Sequence, residues 1–232
     1  MGRKKAIRTR WRVLAAIVLL ALASAGYGWW RFVHWTPSRT DFPVQGVLIG
    51  ARDGRANFVS LRAVGADFAY LEASRGGSGR DPDFIRNLAA ARAAGLRAGA
   101  VHVYDPCVPA DSQAGNFVTV VPRDDKLLPP AVELDKTADD CRDLVSDQAV
   151  ESELTTFLNQ IEGHAGKPAL LMISSRFELR HHIASRIDRN LWLTRDWFEP
   201  DYAGRPWTLW TANAMLWSDA SARPLHWVVA QP

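Results

Sequence analysis

Residues 64–104 read VGADFAYLEASRGGSGRDPDFIRNLAAARAAGLRAGAVHVY, and this stretch decides the architecture. Residues 68–73 are a short apolar run that predicts a strand. Asp81-Pro82 opens an alanine-rich helix over about 82–94, with proline at its first position and Gly95 just past its end, the usual punctuation of a helix. Residues 98–104 predict the next strand. A strand, a helix and a second strand, with both strands apolar along their length, make the repeating unit of a parallel sheet covered by helices.

Working outward, the same alternation continues in both directions. Upstream lie a β-type run at 44–50 and a helix at 58–64. Downstream come a helix at 113–120, a strand at 130–135 and a helix at 147–163 closed by Gly166-Lys167-Pro168. A strand at 169–173 and a short helix at 175–185 follow. The last third, with apolar runs at 190–193 and 207–210 and a final strand at 225–229, is richer in strands and loops than in helices. The pattern predicts an α/β barrel with an irregular last portion lacking some helices; a doubly wound sheet is the alternative. No repeats or low-complexity tracts occur.

The chain has 232 residues and a formal net charge of +3. Arg3, Lys4, Lys5, Arg8, Arg10 and Arg12 precede any acid, so residues 13–232 carry three net negative charges. The basic character belongs to the first twelve residues, and nothing asks for a nucleic-acid partner. Residues 13–30, VLAAIVLLALASAGYGWW, hold no charge and approach the ~20 residues that a spanning helix needs. The basic cluster before them predicts a cytoplasmic N-terminus. Trp29, Trp30 and Trp35 are expected at the far interface. Two readings stand: an uncleaved anchor over 13–35, or a signal peptide cut at Ala21-Leu22-Ala23 or Ala23-Ser24-Ala25. Either way the remainder is exported. The expected organisation is a basic tail at 1–12, the apolar segment at 13–35, a polar linker at 36–43 and one domain over 44–232. The two cysteines, Cys107 and Cys141, form one disulfide closing a loop of about 35 residues in an oxidising compartment, or remain two separate buried thiols. No Cys or His pair has metal-ligand spacing, and no cofactor motif is present.

Several segments, taken together, resemble the glycoside hydrolases of family 25, the bacterial and phage N-acetylmuramidases. Residues 64–71 resemble that family's "aGvdFayiKaTeG". Asp81-Pro82-Asp83-Phe84 with Asn87 is similar to "DpxFxxN", and residues 94–102 to "aGLxvGaYHF". Gln113-Ala114 with Asn116-Phe117 resembles "QAxnF", and Leu128-Pro129-Pro130 the proline pair before its acidic motif. Gly166-Lys167-Pro168, Leu191-Trp192-Leu193 and Trp207-Thr208-Leu209-Trp210 fall in the family's order. The resemblance implies a TIM-like (β/α) barrel missing its last helices, preceded here by one N-terminal transmembrane helix. It implies peptidoglycan glycan strands as substrate. The apolar segment, left uncut, predicts an inner-membrane protein with its domain on the extracytoplasmic side, and a secreted one if it is cleaved. Barrel active sites lie at the C-terminal ends of strands, where Glu72, His102, Glu133 and Asp135 fall.

Glycoside hydrolysis uses two carboxylates, at ~5–5.5 Å for retention and ~6.5–9.5 Å for inversion. Residues i and i+2 of a strand share a face, so Glu133 and Asp135 form the candidate catalytic pair. The family writes its motif Asp-x-Glu, with Glu as proton donor; here the order is Glu-Leu-Asp. Asp135, at the donor position, is one methylene short, so its carboxyl falls ~1–1.5 Å away, a misplacement that can cost ~100-fold. Glu133 reaching across as donor is the other arrangement.

The other departures concern charge. "GIDVSHHQG" aligns on residues 46–54 with Leu48 at its Asp, and "vDlNvF" on 224–229 with Leu225 at its Asp. The Lys and the acid of "KaTeG" become Glu72 and Arg75. Leucine cannot stabilise an oxocarbenium ion electrostatically. Glu72 is a replacement carboxylate, or the partner of Arg75 or Arg52 in an ion pair. Glu72, His102, Tyr104, Trp192 and Trp210 are the candidate substrate-binding residues, with Trp207 as a further aromatic. The alternative for His102 is a core histidine, and for the tryptophans plain packing. His181-His182 is expected to be solvated. Two functions follow: a muramidase, weakened or intact, or a non-catalytic peptidoglycan-binding or scaffold protein. An unrelated exported α/β enzyme is disfavoured, because no Ser-His-Asp, metal or phosphate-loop signature competes.

Overall fold

The computed structural model describes residues 2–232, with side chains from residue 10 onward. It contains two compact units, residues 1–35 and 36–232. In the first, Gly2–Val33 is one helix, α1. Its stretch Arg10–Val33 is 24 residues long and apolar enough to cross a membrane by length and composition. At 1.5 Å per residue it measures ~36 Å, against a hydrocarbon core of ~30 Å.

The second unit begins with β1 (Gln45–Ile49) and α2 (Phe58–Ala63), whose first turn is capped by Asn57 Oδ1 accepting from Ser60 N. Then come β2 (Phe68–Arg75), a two-residue strand β3 (Gly79–Arg80), α3 (Phe84–Ala93) and β4 (Arg97–Val103). Helix α3 starts two residues later than expected: Asp81 Oδ1 accepts from Asp83 N, so Pro82 lies in the turn before the helix. Next are α4 (Ala110–Val120), β5 (Ala131–Leu134) and α5 (Asp147–Ala165). Helix α5 is bracketed by a Ser146 cap and by Gly166 at φ 68°, a left-handed stop that favours glycine. Strand β6 (Leu170–Ile173), α6 (Ser175–His181), β7 (Asn190–Thr194), β8 (Leu209–Leu216) and β9 (Leu225–Ala230) complete the chain.

The strands pair in the order β1-β9-β8-β7-β6-β5-β4-β2-β3, and β1 also pairs with β2. Leaving aside the short β3, eight strands therefore close into a barrel. Every pairing from β1 through β8 around the β2 side is parallel, while β9 runs antiparallel to both β8 and β1. This corrects the TIM-like expectation to an eight-stranded β-barrel in a mixed α/β fold. The reason lies in the connections. Residues 217–224 form a short link without a helix between β8 and β9, and a strand returned by such a link runs antiparallel to its neighbour. Residues 195–208, though also without a helix, carry the chain back so that β8 is parallel to β7.

Alternate residues fill the barrel. Leu48, Phe68, Tyr70, Val101, Ala131, Leu170, Met172, Trp192, Leu209 and Val228 form its interior. Gly46 and Gly99 lie among them because a Cβ at either would enter the ring of Phe68 or Tyr70. Outside the barrel the helices bury their own apolar faces, with Leu61, Phe117, Leu154, Phe157 and Phe177 fully buried. At the base, Ala230 N donates to Val44 O at 2.9 Å, so the last strand ends beside the entrance to the first.

Candidate active site

The mouth of the barrel is set by strand register. Glu72 pairs with Val101, and Glu133 with Met172; both partners belong to the interior, and cross-strand partners share a face. The two carboxylates therefore point inward at the C-terminal ends of β2 and β5. Arg75 Nη2 lies 2.8 Å from Glu72 Oε1 and Arg52 Nη2 lies 3.8 Å from Oε2, with the Glu72 side chain 17% exposed. The ion-pair alternative for Glu72 is thus the observed one, at the mouth itself.

Glu133 differs. It is half-buried, and among the described residues its carboxyl has no hydrogen-bond or ion-pair partner. Burial pushes its pKa up to about 7, and the negative charges of Glu72 and Asp135 add to the shift while Arg75 and Arg52 oppose it. Asp135 follows the strand and is exposed.

The opposite wall was not foreseen. On β9, His226 pairs in register with Leu48, an interior residue, so the imidazole faces inward. Leu225, placed by alignment at an acid's position, is instead fully buried and faces outward. Asp53 and Asp196 act electrostatically on His226. Each has a structural role as well: Asp53 Oδ2 accepts from Gly50 N and Asp196 Oδ1 from Ala214 N, both at 2.7 Å. Asn213, fully buried on β8, lies beside this wall. The available sequence signal was the alternation 226, 228, 230 along β9, but a one-residue alignment slip reverses it.

Four expected ligand residues do not reach the mouth. His102 and Tyr104 alternate with the inward Val101 and so face the helices. His102 is fully buried and packs on Phe157 with centroids 4.7 Å apart. Gln113 Nε2 donates to the carbonyls of Asp105 and Val108, so its Oε1 accepts from His102 Nε2 at 3.2 Å. Nδ1 then accepts from Ser74 Oγ at 2.8 Å. Burial lowers the His102 pKa to about 4, making it a neutral core histidine. Tyr104 packs on the same phenylalanine, with its hydroxyl buried and unpartnered. Trp192 points inward but sits below the mouth, its Nε1 donating to Thr211 Oγ1 at 2.8 Å and its ring 5.0 Å from Tyr70. Trp210 alternates with the inward Leu209; it donates to Arg195 O and packs on Phe42 and Trp207 outside the barrel. His181, expected in solvent, is buried, with Nδ1 2.8 Å from Asp147 Oδ1 and Nε2 accepting from Ala138 N. His182 is exposed.

The rim beside Asp135 is tied down. Cys107 and Cys141 form a disulfide, and Lys136 Nζ reaches both carboxylate oxygens of Asp105 at 2.8 and 2.9 Å.

Residues 49–217 match the family model described as "Glycosyl hydrolases family 25". The chain belongs to that family. Among solved structures, a family 25 glycosyl hydrolase from Bacillus anthracis has a TM-score of 0.74 at 21% identity, covering 86% of this chain and 93% of that one. The bacterial lysozyme of Streptomyces coelicolor gives 0.70 at 18% identity, with coverages of 82% and 92%. The Clostridium perfringens spore cortex lytic enzyme SleM gives 0.70 at 19%, with 84% and 69%. At these identities the likeness is one of fold. The uncharacterized protein YegX of Escherichia coli K12 is 26% identical over 145 residues, which is 62% of this chain and 51% of that protein. The chain thus spans about half the length of the curated relatives it matches.

Proposed function

We propose that this family 25 member is a peptidoglycan hydrolase of the muramidase class, with Glu133 as the proton donor. One observation carries the reading: an inward carboxyl at the barrel mouth, free of protein partners and holding its proton near neutral pH. A general acid works best when its pKa lies near the operating pH. Glu133 protonates the glycosidic oxygen as the bond to the anomeric carbon breaks. Glu72, paired with Arg75 and Arg52, and the exposed Asp135 supply carboxylates beside the developing oxocarbenium ion. The donor is therefore the first acid of Glu-Leu-Asp. Segment 10–33 anchors the domain to the cytoplasmic membrane on its outer side, facing the wall.

A second reading, a glycan-binding protein without turnover, is favoured by Leu48, which puts an apolar side chain into the mouth. Incubating the full chain, in mild detergent, with peptidoglycan sacculi distinguishes the two. Release of new reducing ends, lost in Glu133→Gln, is the expected result. Binding to sacculi without release would establish the second reading.

A further inference from the structure

We propose that the base of the barrel, at the opposite end from the mouth, is a binding site for a fatty carboxylate, with Arg97 holding the head group and the apolar interior holding the chain. The inference goes beyond the hydrolytic reading and does not depend on it.

Strand order and alternation build the site. A cavity of about 340 Å³ opens at this end, its apolar wall made by Val44, Phe68, Leu170, Leu209 and Ala230. These residues stand at or just before the starts of parallel strands, or, for Ala230, at the end of the antiparallel β9. Leu128 and Pro129, from the segment before β5, complete the wall. Phe68, Leu170 and Leu209 also belong to the barrel interior, so the cavity runs into the core. The acids of the mouth, Glu72 and Glu133, lie further along the same strands and do not line it.

The rim selects the ligand. Arg97, the first residue of β4, shares a strand face with the inward Val101 and lines the cavity. Its side chain is exposed and, among the described residues, forms no hydrogen bond or ion pair. The neighbouring acid, Asp67, is already held by Arg39 and Arg62 at 2.7 and 2.9 Å, and only its backbone carbonyl accepts from Arg97 N. Asn190 and Thr208 add exposed polar groups to the lining. An apolar chamber with one uncompensated cation at its edge is complementary to a molecule with an apolar body and a single anionic end. A guanidinium binds a carboxylate through two parallel N–H···O bonds, and the walls gain burial and dispersion contacts along the chain. The volume lies at the lower end of the ~300–1,000 Å³ typical of small-molecule sites, room for one aliphatic chain rather than the two of a bilayer lipid. Under the anchored reading such molecules are at hand, since only residues 34–43 separate Val44 from Val33, the last residue of α1.

The test uses the full chain in phosphatidylcholine nanodiscs and a photoreactive dodecanoate carrying a diazirine at the end of its chain. Labelling is expected in the peptides that contain Phe68, Leu170 and Leu209. Unlabelled dodecanoate should displace the probe, and dodecanol, which lacks the charge, should do so at least ~10-fold less well. Arg97→Ala is expected to weaken binding by roughly 10–100-fold, Arg97→Lys to retain most of it, and Ala230→Phe, which puts a ring into the cavity, to abolish it. Label confined to residues 10–33, equal displacement by dodecanol, or unchanged binding in a folded Arg97→Ala protein overturns the inference. Displacement by phosphatidylglycerol but not by dodecanoate also overturns it, and would assign the cavity to a bilayer lipid. Should Arg97→Ala fail to fold, the dodecanol competition and Ala230→Phe decide. None of these outcomes bears on Glu133, whose role is read separately from the release of reducing ends.

Discussion

Glu133 is placed against its own ionisation, and the sign of that conflict can be measured. Its folded pKa, about 7, lies above the ordinary 4.5, so the native state binds the proton more tightly than the unfolded chain. Stability is therefore retained below 4.5 and lost as pH rises from there through about 7, by up to roughly 3 kcal/mol. Glu133→Gln removes that loss. Thermal unfolding should show the variant melting above the wild type at pH 8, with the two converging at pH 4; equal melting points at pH 8 would contradict the buried, unpaired carboxyl. Turnover should behave oppositely, the variant losing roughly 10²–10⁴-fold and the wild type declining above about pH 7. At this scale the sequence was only partly readable. Glu133 stood out because period-two spacing in Glu-Leu-Asp marks a shared face. His102 and Tyr104 were misassigned because strands buried on both faces read as continuous apolar runs, which hide which residues point inward. His226 was missed for a related reason: one residue of slip on β9 exchanges it with Leu225.

Among the elements, the disulfide and the glycine-lined strands carry the clearest stability predictions. Cys107–Cys141 joins the loop after β4 to the segment after β5 across 34 residues, close in sequence to Asp135. Replacing both cysteines by serine should cost ~3–4 kcal/mol on the loop-entropy model, read as a lower denaturant midpoint; an unchanged midpoint would leave the link without energetic weight. Gly99→Ala should cost ~1–3 kcal/mol, because its methyl group would enter the ring of Tyr70, which fills the barrel and donates to Pro129 O. Helices α2 to α5 and their strands were legible because caps, glycine stops and apolar periodicity agree locally. The direction of β9 was not, since it depends on whether the preceding link contains a helix, and residues 217–224 carry no pattern beyond turn-forming composition.

For the whole molecule, charge and hydropathy separate the first 35 residues from the rest. With Arg10–Val33 acting as an anchor, the full chain should stay with membranes through alkaline carbonate extraction, at the mass of the uncut polypeptide. Recovery in the soluble fraction, with a new N-terminus between Ala23 and Gly26, would identify a signal peptide instead. The barrel itself has a further property. Because β9 returns antiparallel and Ala230 bonds Val44, the backbone of this domain comes within one hydrogen bond of being a closed loop. Its starting point is then a matter of where the loop is cut. A circular permutant in which a few glycines join 230 to 44, opened before the wholly exposed Leu144, should fold to the same barrel.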